Sequence, residues 1–320
     1  MTSWLCFRTK PIFKERIWGG QKLRDAFDKN LPAGQKIGES WELAGLPDDE
    51  SIIANGELAG QTLASVVERY PEQMLGVKEA PKPFPLLIKL LDAQDVLSVQ
   101  VHPDPETCRR MGAGDTKTEC WYVIDAEPGA VIYKGLREAV SKEQFAQAIA
   151  DGTTADLLAR IPVQPGECHF LPAGTAHAIG AGLLIAEIQT PSDTTYRVFD
   201  WNRVDDTGQP RQLHIDEALE SIHYDVTAEM LPVTTHGRLV ECEYFIVDQG
   251  HRAANCQLLL ARNHMQTLLI LSGCGTIVSA QVDPIEFTAG DCLVVPAAFE
   301  GAVKFAQDTM YLTVTLPVQT

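Results

Sequence analysis

The sequence lacks the segments that would place it in or across a membrane. No stretch reaches the 18 or so apolar residues that a membrane-spanning helix needs; "FPLLIKLL" (84–91) has the length of a core segment and is interrupted by Lys89. The N-terminus, "MTSWLCFRTKPIFKERIWGG", has neither an apolar core nor a small-residue cleavage site, so it does not predict a signal peptide. We therefore expect a cytoplasmic protein with no membrane partner.

Basic residues and paired cysteines are also scarce. There are 26 Lys and Arg against 43 Asp and Glu, a formal net charge of −17, which argues against nucleic acid and anionic membrane surfaces as partners. Any anionic small substrate must be held by a local basic cluster. The eight cysteines include no CxxC pair, which argues against a zinc ribbon, and we expect reduced thiols. The sequence carries no signal for an oligomeric state.

Strand patterns dominate the 320 residues. Short β-branched runs are separated by Gly, Pro, Asn and Asp, as in "LSVQVHP" (97–103) and "GLLIAEIQT" (182–190). Helical spacing is confined to 61–75, to 141–161 and to 214–222; the second begins with the capping-box pair Ser141 and Gln144. We predict a mostly β protein built as a sandwich or barrel.

Two domains are predicted. Residues 1–234 form the larger one, with a helical insertion at about 137–161, and residues 235–320 form a smaller all-β one that covers a sheet of the first. "PGECHFLPAGTAH" (165–177) is echoed by "AGDCLVVPAAFEG" (289–301), which suggests two copies of one β unit. Gly301 stands where the first copy has His177, so the second copy cannot bind metal through this element.

A possible metal site begins in "LSVQVHPDPET" (97–107). Gln100 and His102 are two apart and therefore share one face of the predicted strand. The element Gly166-x5-Pro172-x-Gly174-x2-His177 resembles the second sequence motif of cupin barrels. With a carboxylate in "KTECW" (117–121), the chain then offers two histidines and one carboxylate, a set that suits Zn²⁺ or non-haem iron.

A narrower resemblance is carried by "LLIKLLDAQDVLSVQVHPD", "KTECWYVI" and "GTAHAIGAGLLIAEIQTPSDTTYRVFDW". These segments resemble type I mannose-6-phosphate isomerases in their short bacterial form, from about residue 17 to residue 203. The resemblance implies a cupin (jelly-roll) barrel with a helical insertion and a second, degenerate cupin-like β domain. It also implies one Zn²⁺ per chain, a small-molecule sugar phosphate as substrate, and interconversion of mannose 6-phosphate and fructose 6-phosphate through a cis-enediol.

The resemblance also assigns residues to the site. It places the metal ligands on Gln100, His102, Glu119 and His177. It places the catalytic residues on Arg197, Lys117, Glu187 and Lys89. The chain departs from the longer type of this family at Thr116, where that type has a histidine. This chain therefore has no histidine at this position that could transfer a proton.

Several alternatives stay open. The proton-transfer base could be Glu187, Lys117 or a metal-bound water. Arg203 could help to hold phosphate or could be a loop charge, and Arg197 could instead form an ion pair with Asp193 or Asp200. The alternatives for the whole protein are a sugar-phosphate sensor that binds metal without turnover and an iron-dependent cupin oxygenase. A purely structural double barrel fits poorly with so many candidate ligands.

Overall fold

The computed structural model describes residues 4–204 and 208–317. The ends of the two predicted domains, residues 1–3 and 318–320, lie outside the described residues, as do residues 205–207 of the first domain. No helix in the described part of the chain is long and apolar enough to cross a membrane.

Strands make up most of the regular structure. In chain order they are β1 (Phe7–Arg8), β2 (Ile12–Gly20), β3 (Ile37–Leu43), β4 (Gly45–Leu46), β5 (Asp49–Glu50), β6 (Leu87–Ala93), β7 (Val99–Val101), β8 (Glu119–Ala126), β9 (Val131–Leu136), β10 (Leu158–Pro162), β11 (Cys168–Leu171), β12 (His177–Ile179), β13 (Leu183–Gln189), β14 (Tyr196–Phe199), β15 (Val233–Thr234), β16 (Arg238–Glu241), β17 (Ile246–Arg252), β18 (Gln257–Leu259), β19 (Gln266–Ser272), β20 (Cys274–Val278), β21 (Ile285–Thr288), β22 (Cys292–Val295), β23 (Ala302–Phe305) and β24 (Thr309–Thr315). The α-helices are α1 (Lys22–Phe27), α2 (Leu63–Arg69), α3 (Pro71–Leu75), α4 (Pro105–Met111), α5 (Lys142–Ala150) and α6 (Ile215–Ser221). Short 3₁₀ turns cover Thr154–Leu157 and Ala228–Met230. The mostly β fold predicted from the sequence is confirmed.

Two sheets face each other in the first two-thirds of the chain. A seven-stranded sheet has the order β15-β11-β8-β13-β6-β3-β2, and a five-stranded sheet has the order β10-β9-β12-β7-β14. Trp121 and Ile185 from the first sheet share one buried cluster with Ile132 and Ile179 from the second. The two sheets do not join into one continuous ladder among the described strands, so they form a sandwich rather than the closed barrel that the resemblance implies.

The centre of the seven-stranded sheet is buried on both faces. Strands β6 and β13 pair antiparallel over their whole length, with Glu187 directly opposite Lys89. All seven residues of each strand are buried, which explains why both read as nearly continuous apolar runs. Lysine and glutamate in such runs need each other as partners, because an unpaired charge there would be costly.

The last third of the chain forms a second pair of sheets, with orders β1-β22-β19-β24-β17-β16 and β18-β23-β20-β21. The six-stranded sheet packs on the seven-stranded sheet: Tyr122 and Ala186 share a buried cluster with Val247 and Leu312. Strand β1, from the N-terminal end, pairs with β22 of this second unit. The division at residues 234 and 235 stays a prediction.

The helices follow the sequence signals, with two differences. Helix α5 begins with the predicted capping box, but the chain forms strand β10 from Leu158 onward, paired with β9. The segment 61–75, which has helical spacing, forms two helices, α2 and α3, that meet at Tyr70 and Pro71. A residue before proline is pushed out of helical geometry, and Tyr70 has φ −134° and ψ 56°.

Candidate metal centre and active-site cavity

Three strand boundaries bring the predicted metal ligands together. His102 directly follows β7, Glu119 begins β8, and His177 begins β12. Strands β7 and β12 are neighbours in the five-stranded sheet, with Gln100 opposite His177. Strand β7 has three residues, and helix α4 begins soon after it, where Asp104 caps the helix by accepting a hydrogen bond from Thr107 N at 2.6 Å. We call His102, Glu119 and His177 the His-Glu-His group.

The donor atoms of the His-Glu-His group converge on one point. Nε2 of His102 lies 3.4 Å from Glu119 Oε2, and Nε2 of His177 lies 3.4 Å from Glu119 Oε1. One donor atom from each residue lies within 4.8 Å of the others. Neither Nε2 atom nor Glu119 Oε1 has a hydrogen-bond partner among the described residues, although all are buried. Buried polar atoms without partners are rare, so these atoms fit a metal ion.

Backbone carbonyls set the tautomer of both histidines. His102 Nδ1 donates to Thr194 O at 2.8 Å, and His177 Nδ1 donates to Thr175 O at 2.8 Å. A carbonyl oxygen can only accept, so each Nδ1 carries the proton and each Nε2 presents a lone pair to Glu119. This is the outer support that metal-binding histidines usually have.

Burial and neighbouring charges keep the His-Glu-His group in the protonation state that binds metal. Burial, reinforced by the Lys117 ammonium, lowers the pKa of His102 to about 3, and burial also lowers the pKa of His177. Burial alone would raise the pKa of Glu119, but the neighbouring Lys117 ammonium outweighs it and holds that pKa well below its usual value. At neutral pH the histidines are therefore neutral and the carboxyl is ionised.

The predicted lysines and the second carboxylate form an adjoining buried network. Lys117 Nζ lies 2.9 Å from Glu119 Oε2 and 3.9 Å from Glu187 Oε1. Lys89 Nζ donates to Glu187 Oε1 at 2.9 Å, and Trp121 Nε1 donates to Glu187 Oε2 at 3.2 Å. Burial would lower the pKa of Lys117, but Glu119 and Glu187 raise it, whereas burial raises the pKa of Glu187.

A cavity of about 370 Å³ opens beside this network. Its lining includes Gln100 and all four predicted catalytic residues. The charged groups on its wall are five cations and three carboxylates, namely Arg16, Lys89, Lys117, Arg197 and Arg211 with Glu39, Glu187 and Asp193. A chain of net charge −17 thus carries a local excess of positive charge in its cavity. Such a wall attracts an anionic small molecule against the overall field.

The arginines near the cavity have different partners. Arg197 Nε donates to Ser98 Oγ at 3.2 Å and Arg197 Nη1 to Gln212 O at 2.8 Å, so its contacts are not the ion pair considered from the sequence. Burial, with Arg211 nearby, lowers the pKa of Arg197. Asp200 instead binds Arg203 and Arg211. Arg203 lines a neighbouring surface cavity, which favours the interpretation as a structural loop charge.

The sequence did not reveal the cavity wall that strands β2 and β3 supply. Arg16 and Trp18 are two apart on β2, and Glu39 and Trp41 are two apart on β3. Arg16 Nε donates to Glu39 Oε1 at 2.7 Å, Trp41 Nε1 donates to Glu39 Oε2 at 2.7 Å, and Lys89 Nζ lies 5.1 Å from the Trp41 ring centroid. The sequence signal that could have revealed these residues is their period-two spacing, because residues two apart on a strand share one face.

Thr116, the departure noted in the sequence, is turned away from the cavity. Its hydroxyl donates to Pro103 O at 2.9 Å, and it lines a separate groove together with Asp115, Thr190 and Pro191. In this chain the Thr116 side chain therefore hydrogen-bonds to the backbone of Pro103 and does not line the cavity.

Comparison with known proteins agrees with this geometry. Residues 6–133 match the family described as phosphomannose isomerase type I, catalytic domain. A Bacillus subtilis protein named probable mannose-6-phosphate isomerase GmuF is 42% identical over 312 residues, which cover 92% of this chain and 96% of that one. The crystal structure of the mannose 6-phosphate isomerase from Bacillus subtilis superposes with a TM-score of 0.85 at 32% identity, covering 98% of this chain and 99% of that one.

A more distant solved structure shares the fold. It is a mannose 6-phosphate isomerase bound with zinc and yttrium, with a TM-score of 0.76, 17% identity, and coverage of 98% of this chain and 100% of that one. The extended similarity to the Bacillus subtilis proteins, together with the His-Glu-His group, identifies the family. This chain belongs to the type I phosphomannose isomerases.

Proposed function

We propose that this protein is a zinc-dependent isomerase that interconverts mannose 6-phosphate and fructose 6-phosphate through a cis-enediol. The observation that carries the proposal is the position of the His-Glu-His group, whose neighbours Gln100 and Lys117 line the cationic cavity. The named relatives are mannose-6-phosphate isomerases, which favours isomerisation over the sensor and oxygenase alternatives. We also propose a cytoplasmic location and the division into domains of residues 1–234 and 235–320.

Zinc is supported by the chemistry of the donor set. Two neutral imidazole nitrogens and one carboxylate are ligands that Zn²⁺ takes, and one donor atom from each of the three residues lies within 4.8 Å of the others. His102, Glu119 and His177 would hold the ion, and Gln100 would be the fourth ligand. A bound Zn²⁺ would polarise the sugar oxygens and stabilise the negative charge of the enediolate.

Glu187 is the best-placed proton carrier. The reaction removes a proton from C2 of the aldose and returns one to C1, so one carboxylate that faces both carbons can do both steps. Glu187 lies on the cavity wall, and its raised pKa brings its proton affinity nearer to neutrality. Lys117 has a raised pKa and stays protonated, which suits it to stabilise an oxyanion rather than to act as the base.

Arg197 and Arg211 are proposed to hold the phosphate. Both line the cavity, and Arg197 is fixed by Ser98 and Gln212. A planar guanidinium donates two parallel hydrogen bonds to a phosphate, and a preformed orientation reduces the entropy lost on binding. Lys89, paired with Glu187, is proposed to orient that carboxylate toward the sugar.

The test is a coupled assay of mannose 6-phosphate conversion by the purified protein, before and after chelation and with zinc added back. We expect activity to be lost on chelation and restored by zinc, with one zinc per chain by elemental analysis. Iron in place of zinc with oxygen consumption would support the oxygenase. Tight binding of mannose 6-phosphate without conversion by the fully metallated protein would support the sensor.

A further inference from the structure

The hydroxyl of Thr190 binds the backbone on both sides of Lys117. Thr118 N donates to Thr190 Oγ1 at 3.2 Å, and Thr190 Oγ1 donates to Thr116 O at 3.1 Å. The Thr190 N–H in turn donates to Thr118 O at 3.1 Å. One side chain that is 3% exposed thus accepts one hydrogen bond and donates another to the residues that flank the lysine.

A second anchor, the carbonyl of Pro103, holds the same segment. Pro103 O accepts hydrogen bonds from Thr116 Oγ1 at 2.9 Å and from Lys117 N at 3.3 Å. Pro103 follows the end of strand β7, whereas Thr190 follows the end of strand β13. The backbone at Lys117 is therefore fixed between two strands before β8 begins.

The anchor on β13 also fixes a distance within the active site. Thr190 directly follows strand β13 and is three residues beyond Glu187, which lies on that strand. Lys117 Nζ lies 3.9 Å from Glu187 Oε1, so tying the lysine backbone to this strand sets the separation of the two charges. A displacement of about 1 Å in such a group can cost on the order of a hundredfold in rate.

We propose that Thr190 is a positioning residue whose hydroxyl holds Lys117 at its working distance from Glu187. The inference rests on the proposed isomerase function, because it assigns Lys117 a role in the reaction. The backbone ladder alone satisfies Thr118 O; the hydroxyl is needed for Thr118 N and Thr116 O. Valine, which has the same shape without the hydroxyl, would leave both of these groups without that partner.

The experiment compares Thr190→Val and Thr190→Ser with the wild-type protein, all loaded with zinc. We expect Thr190→Val to lower kcat about ten- to hundredfold with KM within about threefold, and Thr190→Ser to restore kcat. Zinc content and the thermal midpoint are measured in parallel to separate positioning from loss of the fold. Thr267→Val is the matched control, because Thr267 is also buried in a β-strand and its Oγ1 has no hydrogen-bond partner among the described residues.

Each outcome decides the inference. A low kcat in Thr190→Val with zinc retained, rescued by Thr190→Ser and absent in Thr267→Val, supports it. An unchanged kcat in Thr190→Val, a loss of zinc, or an equal loss in Thr190→Ser would overturn it. If the wild-type protein itself converts no mannose 6-phosphate, the proposed function fails and the inference fails with it.

Discussion

Lys89 and Glu187 face each other directly across neighbouring antiparallel strands, and their charged groups are 2.9 Å apart. Both side chains are almost completely buried, and both line the active-site cavity. A buried ion pair of this kind is weak evidence for stability, because desolvation offsets much of the attraction. Its position on the cavity wall instead indicates that the pair fixes the orientation of the carboxylate.

Replacing Glu187 with glutamine should abolish most of the turnover. The amide keeps the shape of the side chain but cannot take up the proton from C2, and general acid–base catalysis contributes about 10²- to 10⁴-fold. We expect kcat of Glu187→Gln to fall by at least about a hundredfold while zinc stays bound. The measurement is kcat with mannose 6-phosphate, alongside elemental analysis.

The control is Glu57→Gln, which changes an exposed carboxylate outside the cavity. It should keep wild-type kcat. If Glu187→Gln retains more than about a tenth of kcat, the proton carrier is another group.

Replacing His102 with alanine should empty the metal site. The change removes one of three converging donors and leaves Glu119 and His177 without the third corner of the group. Even loss of an outer support typically costs about 10- to 100-fold in metal affinity, so loss of a ligand should cost more. We expect zinc content well below one per chain after dialysis, and no isomerase activity.

His251→Ala serves as the control, because His251 is an exposed residue on strand β17 of the second unit. It should keep the full metal content. Full zinc occupancy and activity in His102→Ala would refute the assignment of His102 as a ligand.

The two histidines of the His-Glu-His group could be predicted from the sequence because each lies at a strand boundary marked by a local motif. Period-two alternation places Gln100 and His102 on one strand face, and the Pro–Gly turn before His177 marks where the next strand begins. The cavity wall could not be predicted in this way. Alternation says which residues share a face, but it does not say that Glu39 on β3 will lie beside β6.

In the fold as well, features set by neighbouring residues could be predicted from the sequence, whereas pairings between distant residues could not. The capping box at Ser141 correctly predicted the start of helix α5, because capping involves only neighbouring residues. The break at Pro71 was not predicted, although it follows from a local rule: proline disfavours helical geometry in the residue before it. The pairing of Phe7 with Val294 joins residues from opposite ends of the chain, and no local pattern encodes it.

Removing the guanidinium of Arg197 should weaken substrate binding more than chemistry. A charge-assisted hydrogen bond is worth about 1.5–3 kcal/mol, which corresponds to about a 10- to 100-fold change in affinity. We therefore expect Arg197→Met to raise KM for mannose 6-phosphate by about 10- to 100-fold with a smaller change in kcat. Steady-state kinetics at constant ionic strength measure both.

Arg262→Met is the matched control, since Arg262 forms an exposed ion pair with Glu300 far along the chain from the cavity residues. It should leave KM unchanged. A fall in kcat without a rise in KM in Arg197→Met would place Arg197 in the chemical step instead of at the phosphate.

His169 should make the stability of the fold depend on pH. Its side chain is fully buried, and burial, together with Lys134, lowers its pKa to about 4 from 6.5. Between these values the unfolded chain binds a proton and the folded chain does not, so the free energy of unfolding falls as the pH falls from 6.5 toward 4. The slope from one such histidine is up to about 1.4 kcal/mol per pH unit.

Denaturant unfolding of the zinc-loaded protein at pH 7.5 and pH 5 measures this dependence. His102 and His177, the proposed zinc ligands, are the same in the wild-type protein and in His169→Gln, so their contribution cancels in the comparison. We expect the loss of stability between the two pH values to be smaller in His169→Gln by about 1–2 kcal/mol. An identical loss in both proteins would mean that His169 is not kept neutral by the fold.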